Sequence, residues 1–187
     1  PGLESRPAWD TMVRLLRTEV TGHRRSAMKG DLPYEEGDAA VLPNRDDEVR
    51  ELAAMVMQRP RLLRLRGDSG SGKTSLIEAG LLPFLRRQKD PRWEVISVRP
   101  GADPFVAFAE AVQPLLRSNA NVDRVSTTLQ VGTSLATGTV TIHSMLLLAL
   151  RENPGSRILF VLDQAEELFT LTQEQQRVNF LKGLESL

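Results

Sequence analysis

Apolar and polar positions along this chain follow several distinct periods, and each change of period marks an element. Trp9, Met12, Val13, Leu16 and Val20 recur at helical spacing with Arg14, Arg17 and Glu19 opposite, which predicts an amphipathic packing helix. Gly22, Gly30, Pro33 and the basic cluster His23-Arg24-Arg25 then read as a linker. Val49, Leu52, Ala53 and Val56 form a second helical stripe, with Asp46 and Asp47 as candidate caps and Pro60 as the stop. Leu62, Leu63 and Leu65 predict a first strand. Arg64 shares a face with Leu62 and Arg66, so it either pairs with a carboxylate or lies on a partly open face. Leu76 to Leu85 predicts a helix bent or ended by Gly80 and Pro83. Trp93 to Val98 is short and β-branched, a second strand ended by Arg99-Pro100-Gly101. Asp103 caps and Pro104 opens a helix with Phe105, Phe108, Ala109 and Val112 on one face. Residues 118–141 are rich in Ser, Thr, Asn and Gly without a clear period and read as a long loop or weakly structured insertion. Met145 to Leu150 reads as a buried helix and Asn153-Pro154-Gly155 as a turn. Gln173 to Leu187 reads as a last helix with Val178, Leu181 and Leu184 or Leu187 inward.

Between the first strand and the helix after it, Gly67-Asp68-Ser69-Gly70-Ser71-Gly72-Lys73-Thr74 matches the phosphate-loop pattern G-x-x-x-x-G-K-[ST] at every fixed position. Its glycines let successive N–H groups point into one concavity, where phosphate oxygens bind. Lys73 is placed to reach the β- and γ-phosphates, and the Thr74 hydroxyl to ligate Mg²⁺. The helix starting near Lys73 adds the positive end of its dipole. A Gly/Ser loop can match by chance, but a strand before and a helix after are the context the motif requires. Gly67 to Ser75 are therefore the candidate nucleotide-binding residues.

Arg157-Ile158-Leu159-Phe160-Val161-Leu162-Asp163 is the second informative stretch. Five apolar residues ending in an acid describe a buried parallel strand with Asp163 at its carboxyl end, the edge where open α/β sheets bind ligands. An acid there can hold Mg²⁺, usually through water, beside the Thr74 hydroxyl, as a Walker B element does. Many such ATPases place a water-polarising glutamate directly after this acid, but here the position is Gln164. Glu166 is the candidate for that role, since a helical turn can return its side chain towards the strand end. Glu167 reads as an acid favoured by a helix N-terminus.

Composition narrows the classes. Hydrophobic residues at 41% and charged residues at 26% are those of an ordinary globular protein. The 24 basic and 24 acidic side chains cancel, so no global field favours nucleic acid or a membrane surface. The absence of cysteine excludes disulfides, cysteine-ligated zinc and thiol catalysis, and His23 and His143 stand too isolated for a metal site. No apolar run is long enough to span a bilayer and no signal-peptide pattern opens the chain, so cytoplasm is the default expectation.

Five stretches resemble the novel STAND NTPases, signal-transducing relatives of the AAA+ and NACHT ATPases. They are Pro33-Tyr34 with Asp38-Ala39-Ala40-Val41, the loop Gly67 to Ser75, Ala79-Gly80-Leu81-Leu82-Pro83, Arg99-Pro100-Gly101-Ala102-Asp103-Pro104, and Asp163-Gln164-Ala165-Glu166-Glu167-Leu168-Phe169. The resemblance spans roughly residues 32–187 and leaves 1–31 as a helix and linker. It implies a three-layer α/β P-loop NTPase with a mainly parallel sheet of order 5-1-4-3-2. The fourth and fifth strands and the lid are then expected beyond Leu187. It also implies ATP or ADP with Mg²⁺, with Lys73, Thr74 and Asp163 at the nucleotide. Where the family carries Phe-Gly-Arg near the adenine, this chain has Pro43-Asn44-Arg45, so only Arg45 is carried over to nucleotide binding. The implied activity is an ATP-driven switch. ADP holds a closed monomer, and exchange to ATP permits self-association and signalling through fused or bound sensor and effector domains.

Two other classes compete. A nucleotide-binding scaffold without turnover is favoured by Gln164 and by the missing fourth strand. A P-loop kinase requires a lid with clustered arginines, which this sequence lacks. Nucleic-acid binding has no motif to support it.

Overall fold

The computed structural model describes residues 45–58, 62–68, 70–116 and 124–187. The expected N-terminal helix and linker, the stretches at Pro33-Tyr34 and Asp38 to Val41, His23, Pro60 and Ser69 lie outside the described residues. The chain divides into two compact units between Arg87 and Gln88.

In the first unit, α1 (Asp46–Met57) buries Leu52, Ala53 and Val56, the stripe that the periodicity predicts. Asp46 and Asp47 do not cap it. Arg45 occupies the cap position without a side-chain cap bond, and both aspartates sit in the first turn, where the helix dipole favours acids. Residues 62–68 run without regular secondary structure, so the predicted first strand has no ladder partner among the described residues. Its alternation survives: Leu63 and Leu65 are half-buried while Leu62, Arg64 and Arg66 are exposed, which places Arg64 on an open face.

The helix after the loop has three parts. A short α2 (Lys73–Ser75) passes into a π-helical stretch, Leu76–Leu81, and then into α3 (Leu82–Arg86). Pro83 explains the wide turn. It has no N–H to donate, and in an α-helix its ring would press on the carbonyl of Ala79. Spacing by five instead of four, seen in the bond from the Leu82 N–H to the Ile77 carbonyl, relaxes that conflict. Gly80 lies where α1 passes closest, and a Cβ there would stand 2.5 Å from a methyl of Val49.

The second unit is built on a parallel pair, β1 (Arg92–Val98) and β2 (Ser156–Leu162), in register from Arg92 opposite Ser156 to Val98 opposite Leu162. These are the second and third predicted strands, and they are neighbours, as the order 5-1-4-3-2 requires of that pair. Parallel strands need a long crossover. Here it consists of α4 (Pro104–Val112), a 3₁₀ turn (Gln113–Leu115), α5 (Arg124–Ala136) and α6 (Ile142–Glu152). The described fold is thus mixed α/β with a two-stranded parallel sheet.

Phe105, Phe108, Ala109 and Val112 on the buried face of α4 pack with Ile96 and Val98 of β1 in one core. The Asp103 carboxylate accepts from the N–H groups of Phe105 and Val106, so the predicted cap is formed. Thr141 and Ser144 close a capping box at α6. That helix is amphipathic rather than wholly buried, with Ile142, Met145 and Ala149 inward and Leu147 and Leu148 exposed. After a short α7 (Glu167–Thr170), α8 (Glu174–Glu185) packs through Phe180, Leu181 and Leu184. Val178, expected inward, faces out, as does Leu187.

The largest departure is α5, which occupies much of the stretch expected to be irregular. Its buried positions are Thr128, Gly132 and Leu135, with half-buried Val131 and Ala136 against the same core, so the face that packs is small-sided and partly polar. Hydroxyls of Thr133, Ser134 and Thr137 donate to the carbonyls of Leu129, Gln130 and Thr133 one turn back, which absorbs them without breaking the helix. Gly132 permits the close approach to α4. A Cβ there would lie 2.7 Å from a Val106 methyl and 3.1 Å from its Cα. Gly132→Ala is expected to destabilise by about 1 kcal/mol, because overpacking against backbone costs about 1–3 kcal/mol and the gain in helix propensity offsets roughly 1. A urea midpoint that rose on this substitution would contradict the close packing. Among the described residues, no helix is long and apolar enough to cross a membrane.

Candidate functional site

The phosphate-loop candidates belong to the first unit. Gly70 and Gly72 hold φ of 75° and 78°, a left-handed conformation that side chains with a Cβ adopt only at a cost of about 1–2 kcal/mol. The Ser71 N–H donates to the Asp68 carbonyl (3.1 Å), and the Leu76 N–H to the Gly72 carbonyl (2.8 Å), so the loop turns directly into the helix. A Cβ at Gly67 would stand 2.6 Å from Ser71 Oγ, whereas Gly70 opens on free space. Lys73 Nζ donates to the Gly67 carbonyl (2.8 Å) and the Asp68 carbonyl (2.9 Å), which draws the ammonium across the mouth of its own loop. Thr74 is half-buried and Ser75 buried at the start of the helix.

Arg45, the residue expected at the nucleotide, makes two contacts within the protein. Its Nη1 donates to the Gly72 carbonyl at 3.1 Å, and its Nε pairs with Glu48 at 2.8 Å. It thereby ties the start of α1 to the peptide that precedes Lys73.

Asp163 and the acids after it belong to the second unit. Asp163 stands directly after β2, half-buried, and its N–H donates to the Val98 carbonyl at 2.9 Å, extending the ladder by one bond. Gln164 has φ of 51°, the left-handed region that glutamine rarely enters. Glu166 is exposed in the turn, and its carbonyl accepts from the N–H groups of Phe169 and Thr170.

Glu167 is bonded through both carboxylate oxygens. It is only 7% exposed, and its Oε1 accepts from Arg99 Nε at 2.8 Å and pairs with Nη2 at 2.6 Å. Its Oε2 accepts the Gly101 N–H at 3.1 Å, while the Gly101 carbonyl accepts the Thr172 hydroxyl at 2.7 Å. The reading of Glu167 as a dipole-favoured helix residue identified its place and missed these partners. The hydrogen bond from Arg99 holds the Glu167 carboxyl below the usual carboxylate range, assisted by the Gly101 N–H and the Arg99 charge and opposed by burial. The bond to Glu167 raises Arg99 above its ordinary value, with smaller contributions from the charges of Asp163 and Glu166.

A depressed carboxyl contributes stability that is complete above the ordinary carboxylate range and is lost as pH falls through the lowered value. The stability difference between wild type and Glu167→Gln, measured by denaturant titration, is therefore expected to be full at neutral pH and to shrink in acid. A difference that grew on acidification would contradict it. Arg99, Gly101 and Thr172 were not foreseen as a group. Their only sequence signal was that Arg99-Pro100-Gly101 and the acidic stretch both belong to the motifs carrying the family resemblance.

No curated protein and no solved structure matches this chain. The family model described as Novel STAND NTPase 1 does match it, over residues 29–187, nearly the span that the motifs cover. The chain belongs to the novel STAND NTPases.

Proposed function

We propose that this chain is a nucleotide-binding switch module that takes ATP or ADP with Mg²⁺ on Gly67 to Ser75 and hydrolyses ATP. The loop carries the reading: two left-handed glycines lead straight into a helix headed by Lys73. A substituent at Gly70 would meet nothing within 4 Å, which leaves that side of the loop open to a ligand, and the hydroxyl of Thr74 and carboxylate of Asp163 are the hard oxygen donors that Mg²⁺ prefers. In this reading the Lys73 ammonium leaves the Gly67 and Asp68 carbonyls for phosphate oxygens. Mg²⁺ bound with the nucleotide supplies neutralisation of the charge on the transferring phosphoryl group. Thr74 and Asp163 are its proposed ligands, and Glu166 orients the attacking water. Arg45 acts through the Gly72 peptide it holds.

Calorimetric titration with ATP and ADP, with and without Mg²⁺, tests this reading. Thr74→Ala and Asp163→Asn are expected to weaken binding roughly tenfold with Mg²⁺ and to leave metal-free binding unchanged. Glu166→Gln is expected to bind normally and to lose turnover by roughly a hundredfold. Equal turnover in wild type and Glu166→Gln would remove that residue from the mechanism. Binding without turnover is the second reading, favoured by Gln164 in the position directly after Asp163. Wild type that binds both nucleotides and hydrolyses neither would establish it.

The switch requires that ATP and ADP favour different states, since a ligand shifts an equilibrium only by its differential affinity. Self-association in ATP and a monomer in ADP are the expected states, and light scattering in each nucleotide measures them. Identical masses in both would oppose the coupling.

A further inference from the structure

The end of β1 and the segment after it hold the segment after β2 at four points. The Val98 carbonyl accepts the Asp163 N–H, Arg99 holds Glu167 Oε1, the Gly101 N–H donates to Glu167 Oε2, and the Gly101 carbonyl accepts the Thr172 hydroxyl. Between the first and second anchors runs the turn Asp163 to Glu166, which contains Gln164 at φ of 51°. That conformation is costly for a glutamine and persists where the surrounding contacts over-determine it, and the anchors lie on either side of the turn. Within the turn the Gln164 carbonyl accepts the Glu167 N–H (2.9 Å), the Ala165 carbonyl the Leu168 N–H (3.2 Å), and the Glu166 carbonyl the N–H groups of Phe169 (2.9 Å) and Thr170 (3.2 Å), so the turn runs directly into the segment that carries Glu167. Glu167 is buried with both oxygens bonded while the Arg99 side chain stays 61% exposed, so the pair ties the start of α7 to the chain just after β1.

We infer that Arg99 and Glu167 are positioning residues for Asp163. They clamp the far end of the Gln164 turn to the end of β1, and so fix the direction in which the Asp163 carboxylate is presented to a divalent cation. The inference rests on the reading of Asp163 as a metal ligand. Neither Arg99 nor Glu167 touches the cation or the nucleotide in this role. The geometry of the pair supports it, since the ion pair spans the two segments that meet at the carboxyl edge of the sheet.

The test separates positioning from mere stabilisation. Glu167→Gln keeps the shape and an acceptor for the Gly101 N–H but removes the charge, and Arg99→Lys keeps the charge but removes the planar fork. Affinity for ADP is measured by calorimetry with no divalent cation and then with Mg²⁺. Mn²⁺ binding is followed in parallel by the electron paramagnetic resonance of the free ion. Metal-free ADP affinity is expected to be unchanged in both variants. The gain on adding Mg²⁺ should fall roughly tenfold in Glu167→Gln, with Mn²⁺ affinity falling in step, and by less in Arg99→Lys. Circular dichroism fixes a temperature at which each protein is folded, and Arg99→Lys carries the test if Glu167→Gln does not fold. A Mg²⁺ gain lost in Asp163→Asn but intact in the folded clamp variants overturns the inference alone. A wild-type affinity indifferent to Mg²⁺, or an Asp163→Asn protein equal to wild type, brings down the metal reading and the inference with it.

Discussion

Lys73→Ala is expected to lower affinity for both ATP and ADP roughly a hundredfold while leaving the thermal midpoint nearly unchanged. The two effects separate because Lys73 has different partners with and without ligand. Without nucleotide its ammonium donates to two carbonyls at an exposed position, contacts that contribute on the order of 1 kcal/mol. Against phosphate the same group makes charge-assisted bonds that contribute up to about 3 kcal/mol, or roughly two decades in dissociation constant. Alanine also releases the Gly67 and Asp68 carbonyls to water, which at an exposed site costs little. Calorimetry and a thermal melt on the same preparations give both numbers. Equal nucleotide affinity in wild type and variant would remove the loop from the site altogether.

Phe180→Ala is expected to have the largest effect on stability, about 3–5 kcal/mol. Helix α8 is polar over most of its surface, and Phe180, at 0% exposure, is its one fully buried side chain. The ring meets Phe105 edge-on, with centroids 5.4 Å apart, and Phe105 belongs to the face of α4 that covers the sheet. Gly183, one turn further on, lets the backbone approach Ile142 so closely that a Cβ would stand 2.9 Å from its terminal methyl. Loss of the ring leaves a cavity that this tight contact prevents the helix from collapsing to fill. Against a typical domain stability of about 5–15 kcal/mol, the loss is a large fraction. Phe180→Leu should recover more than half of it. A denaturant midpoint for Phe180→Ala within about 1 kcal/mol of wild type would mean that α8 docks by other contacts.

What the sequence revealed follows from where local and long-range physics agree. Asp103-Pro104 and the apolar period behind it fix α4 by themselves, because cap, first-turn proline and buried face all lie within one segment. The two strands of the sheet were legible for the same reason. Helix α5 was not, because its packing face mixes Thr128 and Gly132 with Val131, Leu135 and Ala136, and that pattern becomes a helix signal only once α4 is present to be packed against. Val178 was misplaced and Phe180 overlooked because several phases of a helix with few apolar residues look alike until a neighbour selects one. At the site, the loop was read residue by residue from its motif. The partners of Glu167 were not, since Arg99 and Glu167 stand 68 positions apart and only the parallel pairing of β1 and β2 brings them together.

The wide turn at Leu76–Leu81 carries a consequence for how this helix can change in length. A π-helical turn holds one residue more than an α-helical turn of nearly the same rise, so the segment is an insertion stored inside the helix. Deletion of one residue there would return the stretch to α-helix and keep Leu82 and Leu85 in phase with the core. It would also press the ring of Pro83 against a carbonyl one turn back. The surplus residue and the proline are therefore coupled: a lineage that shed the first without replacing the second would acquire a kink immediately behind the phosphate loop.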